Sequence, residues 1–187
     1  MNLSPRWRFN VPYLTIIAAL WLLLSRCSVG YSHTSDEKLE RNFLEHESTF
    51  ETLLRDVRSD PKITTLQPGF LIYGNRRADV VASNPSVVDA TGLSRSRWNS
   101  YLETFHDLGL AGGVLRGRDH VEFRVDKGSV RNGDSYKGYE FDPDRPAHVR
   151  SSLDSYRVAD ADRDEFGNWI VRKHIKGNWY LYLFVNR

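Results

Sequence analysis

Asp160, Asp162 and Asp164 stand at alternating positions in the stretch DADRDEFGN. With that spacing a loop points three carboxylates at one hard cation such as calcium. A loop of the EF-hand kind also needs glycine at its sixth position and a bidentate glutamate at its twelfth, where this chain has Glu165 and Val171. Both positions fail. The stretch therefore reads as an acidic solvated turn leading into Trp169, with the three aspartates kept only as marginal metal candidates and no cofactor expected.

Other chemistry is harder to place. There is no G-x-S-x-G elbow, and HESTF (His46–Phe50) lacks the second histidine of a zinc-protease helix. The single cysteine, Cys27, falls too early to serve a domain that begins after it. The six histidines, at 33, 46, 106, 120, 148 and 174, show no metal-ligand spacing. An enzyme is left only as residues assembled by the fold, an envelope hydrolase being the form it would take. The chain leans away from catalysis.

Tyr and Trp combine contact area with a polar handle, which suits them to recognition. Tyr136, Tyr139, Tyr156, Trp169, Trp179, Tyr180 and Tyr182 form the candidate contact set. The competing role is core packing, strongest for Trp179 and Tyr180 inside WYLYLFV, a run of apolar residues without polar alternation.

A nucleic-acid reading rests on GLSRSRWNSYLETFHDLGL followed by a Gly-rich hairpin, the pattern of a recognition helix and wing. Ser94, Arg95 and Arg97 would sit at the reading end. The segment offers few cations for phosphate contacts, and the helix directly before it would be only the short SVVDA. A membrane-tethered winged-helix-like regulator is thus an alternative, and nucleic acid is not an expected partner.

Location is more legible. Arg6 and Arg8 precede VPYLTIIAALWLLL (Val11–Leu24), which ends at Ser25-Arg26. This is the layout of an export signal, with an apolar run short of the ~20 residues that span a bilayer comfortably. Three exits are open. SVG (Ser28–Gly30) fits cleavage before Tyr31; LLSRC resembles a lipoprotein box acylated on Cys27, although Arg26 departs from it; and residues 9–26 could stay as an uncleaved anchor. In each case the remainder is expected outside the cytoplasmic membrane, periplasmic or anchored. Arg6, Arg8 and Arg26 exceed the formal net charge of +2, so the exported part is slightly acidic and the pI of 8.7 is no sign of a nucleic-acid surface.

Residues 1–30 are thus read as signal peptide or membrane anchor and 31–187 as one α+β domain. Thr34 and Glu37 form a capping box, and Leu39, Phe43, His46, Phe50, Leu53 and Val57 recur at helical steps as far as Asp60-Pro61. A second helix opens at Ser94 and stops at Gly109, with Trp98, Tyr101, Leu102, Phe105 and Leu108 as its stripe. KITTL, GFLIYG, GVLRG, HVEFRV, GDSYKGYEF, NWIVRKHI and WYLYLFV read as strands, the last two joined at Gly177-Asn178, and NRRADVVASNP as loop or frayed helix. The expected fold is two helices packed on an antiparallel sheet of about five to seven strands.

YLETFHDLGLAGGVLR, YKGYEF, SSLDSY and HIKGNWYLYL, in this order between residues 98 and 185, resemble a group of small exported bacterial proteins of unknown function that end in a GNWYL[FY]-type strand. The resemblance implies export and one small domain, and carries no catalytic residue. Together these features lead to the expectation of an exported binding module acting on a protein or envelope ligand, as an inhibitor, an immunity-type protein or an envelope assembly factor.

Overall fold

The computed structural model describes residues 33–80, 86–130, 133–144, 146–156, 163–164 and 167–186. The leader with Cys27, and Asp160 and Asp162, lie outside them. The first apolar stripe forms two helices instead of the expected one: α1 (Asp36–Glu45) and α2 (Glu47–Ser59). They meet at His46, whose N–H bonds to the carbonyls of Asn42 and Phe43 while its own carbonyl accepts from Thr49 and Phe50. The break keeps Phe43 and Phe50 on one side, ring centroids 5.3 Å apart, so both reach the sheet. The expected capping box does not form: Ser35 is the N-cap and makes no side-chain bond. A carboxylate distant in sequence does that work, Asp154 accepting the Asp36 N–H at 2.9 Å.

Two more helices follow, α3 (Ser86–Thr91) and α4 (Arg95–Leu108). The second begins and ends as its sequence implies. Ser94 accepts the Arg97 N–H, and Gly109 closes the helix at φ 69°, a conformation that costs glycine nothing.

The sheet has eight strands, one more than the largest number expected: β1 (Ile63–Gln67), β2 (Phe70–Tyr73), β3 (Arg76–Asp79), β4 (Gly113–Arg116), β5 (Val121–Val130), β6 (Gly133–Phe141), β7 (Trp169–Lys176) and β8 (Trp179–Val185). The additional strand is β3, where a loop was expected. Gly74 at φ 64° makes a two-residue turn with Asn75 that pairs Tyr73 with Arg76, and only Ala78 of the strand is buried. Its charged residues suit an edge. The order is β3-β2-β1-β4-β5-β6-β8-β7, antiparallel throughout.

The apolar run Trp179–Val185 lies inside this sheet, between β6 and β7. Trp179, Leu181, Leu183 and Val185 point to the helices, as their pairing with Phe141, Tyr139, Lys137 and Ser135 shows. Phe43, Phe50, Phe123, Tyr139 and Trp179 make one aromatic cluster under α1 and α2, with centroid separations between 4.6 and 6.1 Å. Tyr180, Tyr182 and Phe184 point to the opposite face, the side on which the functional question falls.

Candidate functional site

Strand register separates the candidate aromatics. Tyr139, Trp169 and Trp179 face the helix side and are buried. The Tyr139 hydroxyl donates to the Leu39 carbonyl at 3.0 Å and accepts from Asn42 at 2.9 Å, and Trp179 Nε1 donates to Glu51 at 2.7 Å. Burial pushes the Tyr139 hydroxyl up to about 12, with Asn42 pulling the other way. These side chains are core. Tyr156 sits half-buried in the segment before β7, away from the others. Tyr136, Tyr180 and Tyr182 come together on the far face, where Tyr136 is half-buried and Tyr180 and Tyr182 are buried.

On that face the register builds three rows across β5, β6, β8 and β7. The first holds Glu122, Glu140, Tyr180 and His174; the second Arg124, Gly138, Tyr182 and Arg172; the third Lys127, Tyr136, Phe184 and Ile170. Two glutamates directly opposite one another repel. Each is met by an arginine of the second row: Arg124 reaches Glu122 through Nη2 at 2.8 Å and Nε at 3.0 Å, and Arg172 holds Glu140 with both Nε and Nη2. Burial alone would raise the Glu122 carboxyl; His120 and Arg124 outweigh it and hold the group below its ordinary range. Glu122, whose Oε1 lies 3.7 Å from His120 Nε2, in turn raises His120.

Rings complete the surface. The Arg124 guanidinium lies 4.5 Å from the Tyr136 ring centroid, Lys127 Nζ lies 5.6 Å from the same ring, and His174 packs edge-on to Tyr180 at 5.3 Å. Gly138 has no side chain to stand between Arg124 and Tyr182, and it could carry none: a Cβ there would lie 2.0 Å from the Phe123 carbonyl. Tyr182 is 2% exposed, and beyond the adjacent Arg124 guanidinium its hydroxyl meets no hydrogen-bond partner among the described residues. Burial, reinforced by the Glu122 charge, keeps that phenol well above its ordinary value, so it stands as a neutral donor. The arrangement offers paired charges, ring faces and one buried hydroxyl. It suits recognition, and it holds no activated nucleophile.

A second constellation spans the sheet's other face. His33 Nε2 is 2.8 Å from Ser135 Oγ, its Nδ1 bonds Asp126, and the Thr34 N–H donates to the second Asp126 oxygen at 2.7 Å. The hydrogen-bond order is that of a Ser-His-Asp triad. Ser135, however, is fully buried on a strand whose backbone is paired on both sides. Acyl transfer needs an approach to Oγ and free N–H donors for the oxyanion. The geometry instead ties the segment before α1 to β5 and β6. Burial raises the Asp126 carboxyl, but the bonds from His33 and Thr34 bring it below its ordinary range. The three residues are too far apart in sequence to form a motif.

Nearby, Lys137 is 2% exposed and bonds Asp36 at 2.7 Å and Asp154 at 2.6 Å. Asp36 also accepts the Leu153 N–H at 2.7 Å and the Ser152 hydroxyl at 3.0 Å. Burial drives its carboxyl up, and the Lys137, Leu153 and Ser152 bonds more than offset this, leaving it below the usual range. This charge cluster pins residues 152–154 to the start of α1.

The remaining candidates are accounted for locally. Asp164 accepts from the Asn168 backbone at 2.8 Å and from its side chain at 3.3 Å, and so closes a turn. Among the described residues no group of three His, Cys, Asp or Glu is placed to hold a metal ion. Arg95 and Arg97, the would-be base contacts at the start of α4, pair with Asp89 at 2.8 Å and Asp60 at 2.6 Å. No helix among the described residues is long and apolar enough to cross a membrane. Comparison with family models, curated proteins and solved structures finds no match, so nothing about this site is carried over from another protein.

Proposed function

We propose that this chain is an exported binding module, held at or released from the cytoplasmic membrane, which engages a protein or envelope ligand through the sheet face of Arg124, Lys127, Tyr136 and Arg172. One observation carries the reading: strand register gathers aromatic and ion-paired side chains on the face away from the helices, around the buried Tyr182 hydroxyl. Ordered ion pairs and aromatic rings give orientation and contact area at small entropic cost, the usual composition of a recognition surface. The leader, with Arg6 and Arg8 before an uncharged run, supports an external location.

The alternative, an envelope hydrolase, is favoured by the Asp126–His33–Ser135 chain of bonds and opposed by the burial of Ser135. Location is the first test, because the ligand class depends on it. Alkaline phosphatase fused after Arg187 should be active in cells, since that enzyme matures only outside the cytoplasm. A fusion that works only with a cytoplasmic reporter would overturn the reading.

A further inference from the structure

We propose that the cleft between the C-terminal end of α2 and the β4–β5 turn binds a phosphate group through Arg58, Arg116 and Arg118. The cleft holds about 330 Å³ and is lined by these three arginines, His120, Asp119 and Asp144 among others. Its volume lies at the small end of ligand sites, larger than a bare ion needs and suited to a phosphoryl group on a larger molecule.

Its arginines differ from several others among the described residues. Arg41, Arg95, Arg97, Arg124 and Arg172 each hold a carboxylate within 3 Å. Among the described residues no carboxylate pairs with Arg58, Arg116 or Arg118. Two of the three are nonetheless fixed in place. Arg116 Nη1 donates to the Asp60 carbonyl at 2.8 Å and the Val57 carbonyl at 3.3 Å, leaving Nη2 and Nε unused, and the Arg58 guanidinium lies 5.3 Å from the centre of the Phe141 ring. Such placement lowers the entropic cost of binding.

The turn supplies the rest. Its closing bond runs from the Gly117 N–H to the His120 carbonyl at 2.9 Å, and the His120 ring folds over Gly117 so closely that a Cβ there would lie 2.3 Å from it. Arg118 projects from this turn. Three guanidiniums face two carboxylates, so the cleft is cationic on a part of the chain that is otherwise slightly acidic. Three separate guanidiniums exceed what the two oxygens of a carboxylate can use and match the terminal oxygens of a phosphate.

The site is separate from the sheet-face reading and is tested without it. Full-length protein is titrated calorimetrically with inorganic phosphate at low ionic strength. One saturable site is expected, weakened about tenfold by Arg58→Gln and by Arg118→Gln and unchanged by Arg55→Gln, one turn away on α2 and outside the cleft. Both changed residues are exposed, and circular dichroism checks that the variants fold. Co-sedimentation with phosphatidylglycerol vesicles, against phosphatidylcholine ones, identifies the source: loss in the same two variants assigns the phosphate to a lipid headgroup, and no difference assigns it to a soluble ligand. Absence of saturable phosphate binding, its persistence in the double variant, or an equal loss in Arg55→Gln overturns the proposal.

Discussion

Leu181→Ala should lower the stability of the domain by about 2–5 kcal/mol, read as the shift in a urea or thermal midpoint. Leu181 is fully buried on the helix side of β8, and that strand is paired on both edges. Its neighbours cannot close the space, because Tyr139 opposite is held by two hydrogen bonds and Trp179 two residues away by a third. A cavity therefore remains, and cavities are what make such truncations expensive. A variant that melts with the parent would show that β8 is not the packed interior strand described here.

Lys137→Met should cost a comparable amount, about 3–5 kcal/mol, for a different reason. The substitution fits the volume but leaves the Asp36 carboxylate buried beside no cation except Lys173 at 3.8 Å. Asp36→Asn added to Lys137→Met removes the stranded charge and should restore part of the loss, which separates electrostatics from packing. The pH dependence has a defined sign. The folded-state carboxyls of Asp36, Asp60, Asp126 and Glu122 all lie below their ordinary values. Each then contributes stability that is present above its unfolded pKa, near 4, and is lost as pH falls through the lower folded value. The parent should thus become acid-labile below about pH 4, and in Lys137→Met the Asp36 share of that dependence should shrink or reverse. An unchanged acid profile in the variant would contradict the assignment of Lys137 as the group that holds Asp36 ionised.

What the sequence disclosed and what it hid have physical causes. Local signals worked: Ser94 and Gly109 bound α4, Gly177 and Asn178 turn β7 into β8, and the unalternated apolar run became an interior strand. Failures came where a distant group displaced a local one. Thr34 and Glu37 spell a capping box, yet Asp154 caps the helix and Asp126 takes the Thr34 N–H. The strand β3 was marked only by Gly74-Asn75, a signal outweighed by the charged residues after it. Strand parity divides the aromatic set. Tyr136, Tyr180 and Tyr182 do gather on one face, while Tyr139, Trp169 and Trp179 differ from them only in strand parity. The Glu140–Arg172 pair and the Asp126–His33–Ser135 bonds require the order of the sheet, which no local pattern states, whereas Glu122 and Arg124 stand two residues apart on one strand.

The sheet face can be tested directly by placing a photoreactive side chain at Lys127, in the third row of that face, and in separate proteins at Leu44 on α1 and Glu103 on α4, all three exposed. After irradiation of cells that make the protein, adducts should form from position 127, fall away when Tyr136→Ala is added, and be absent from positions 44 and 103. Adducts from 44 or 103 with none from 127 would place the contact surface on the helices and contradict the account.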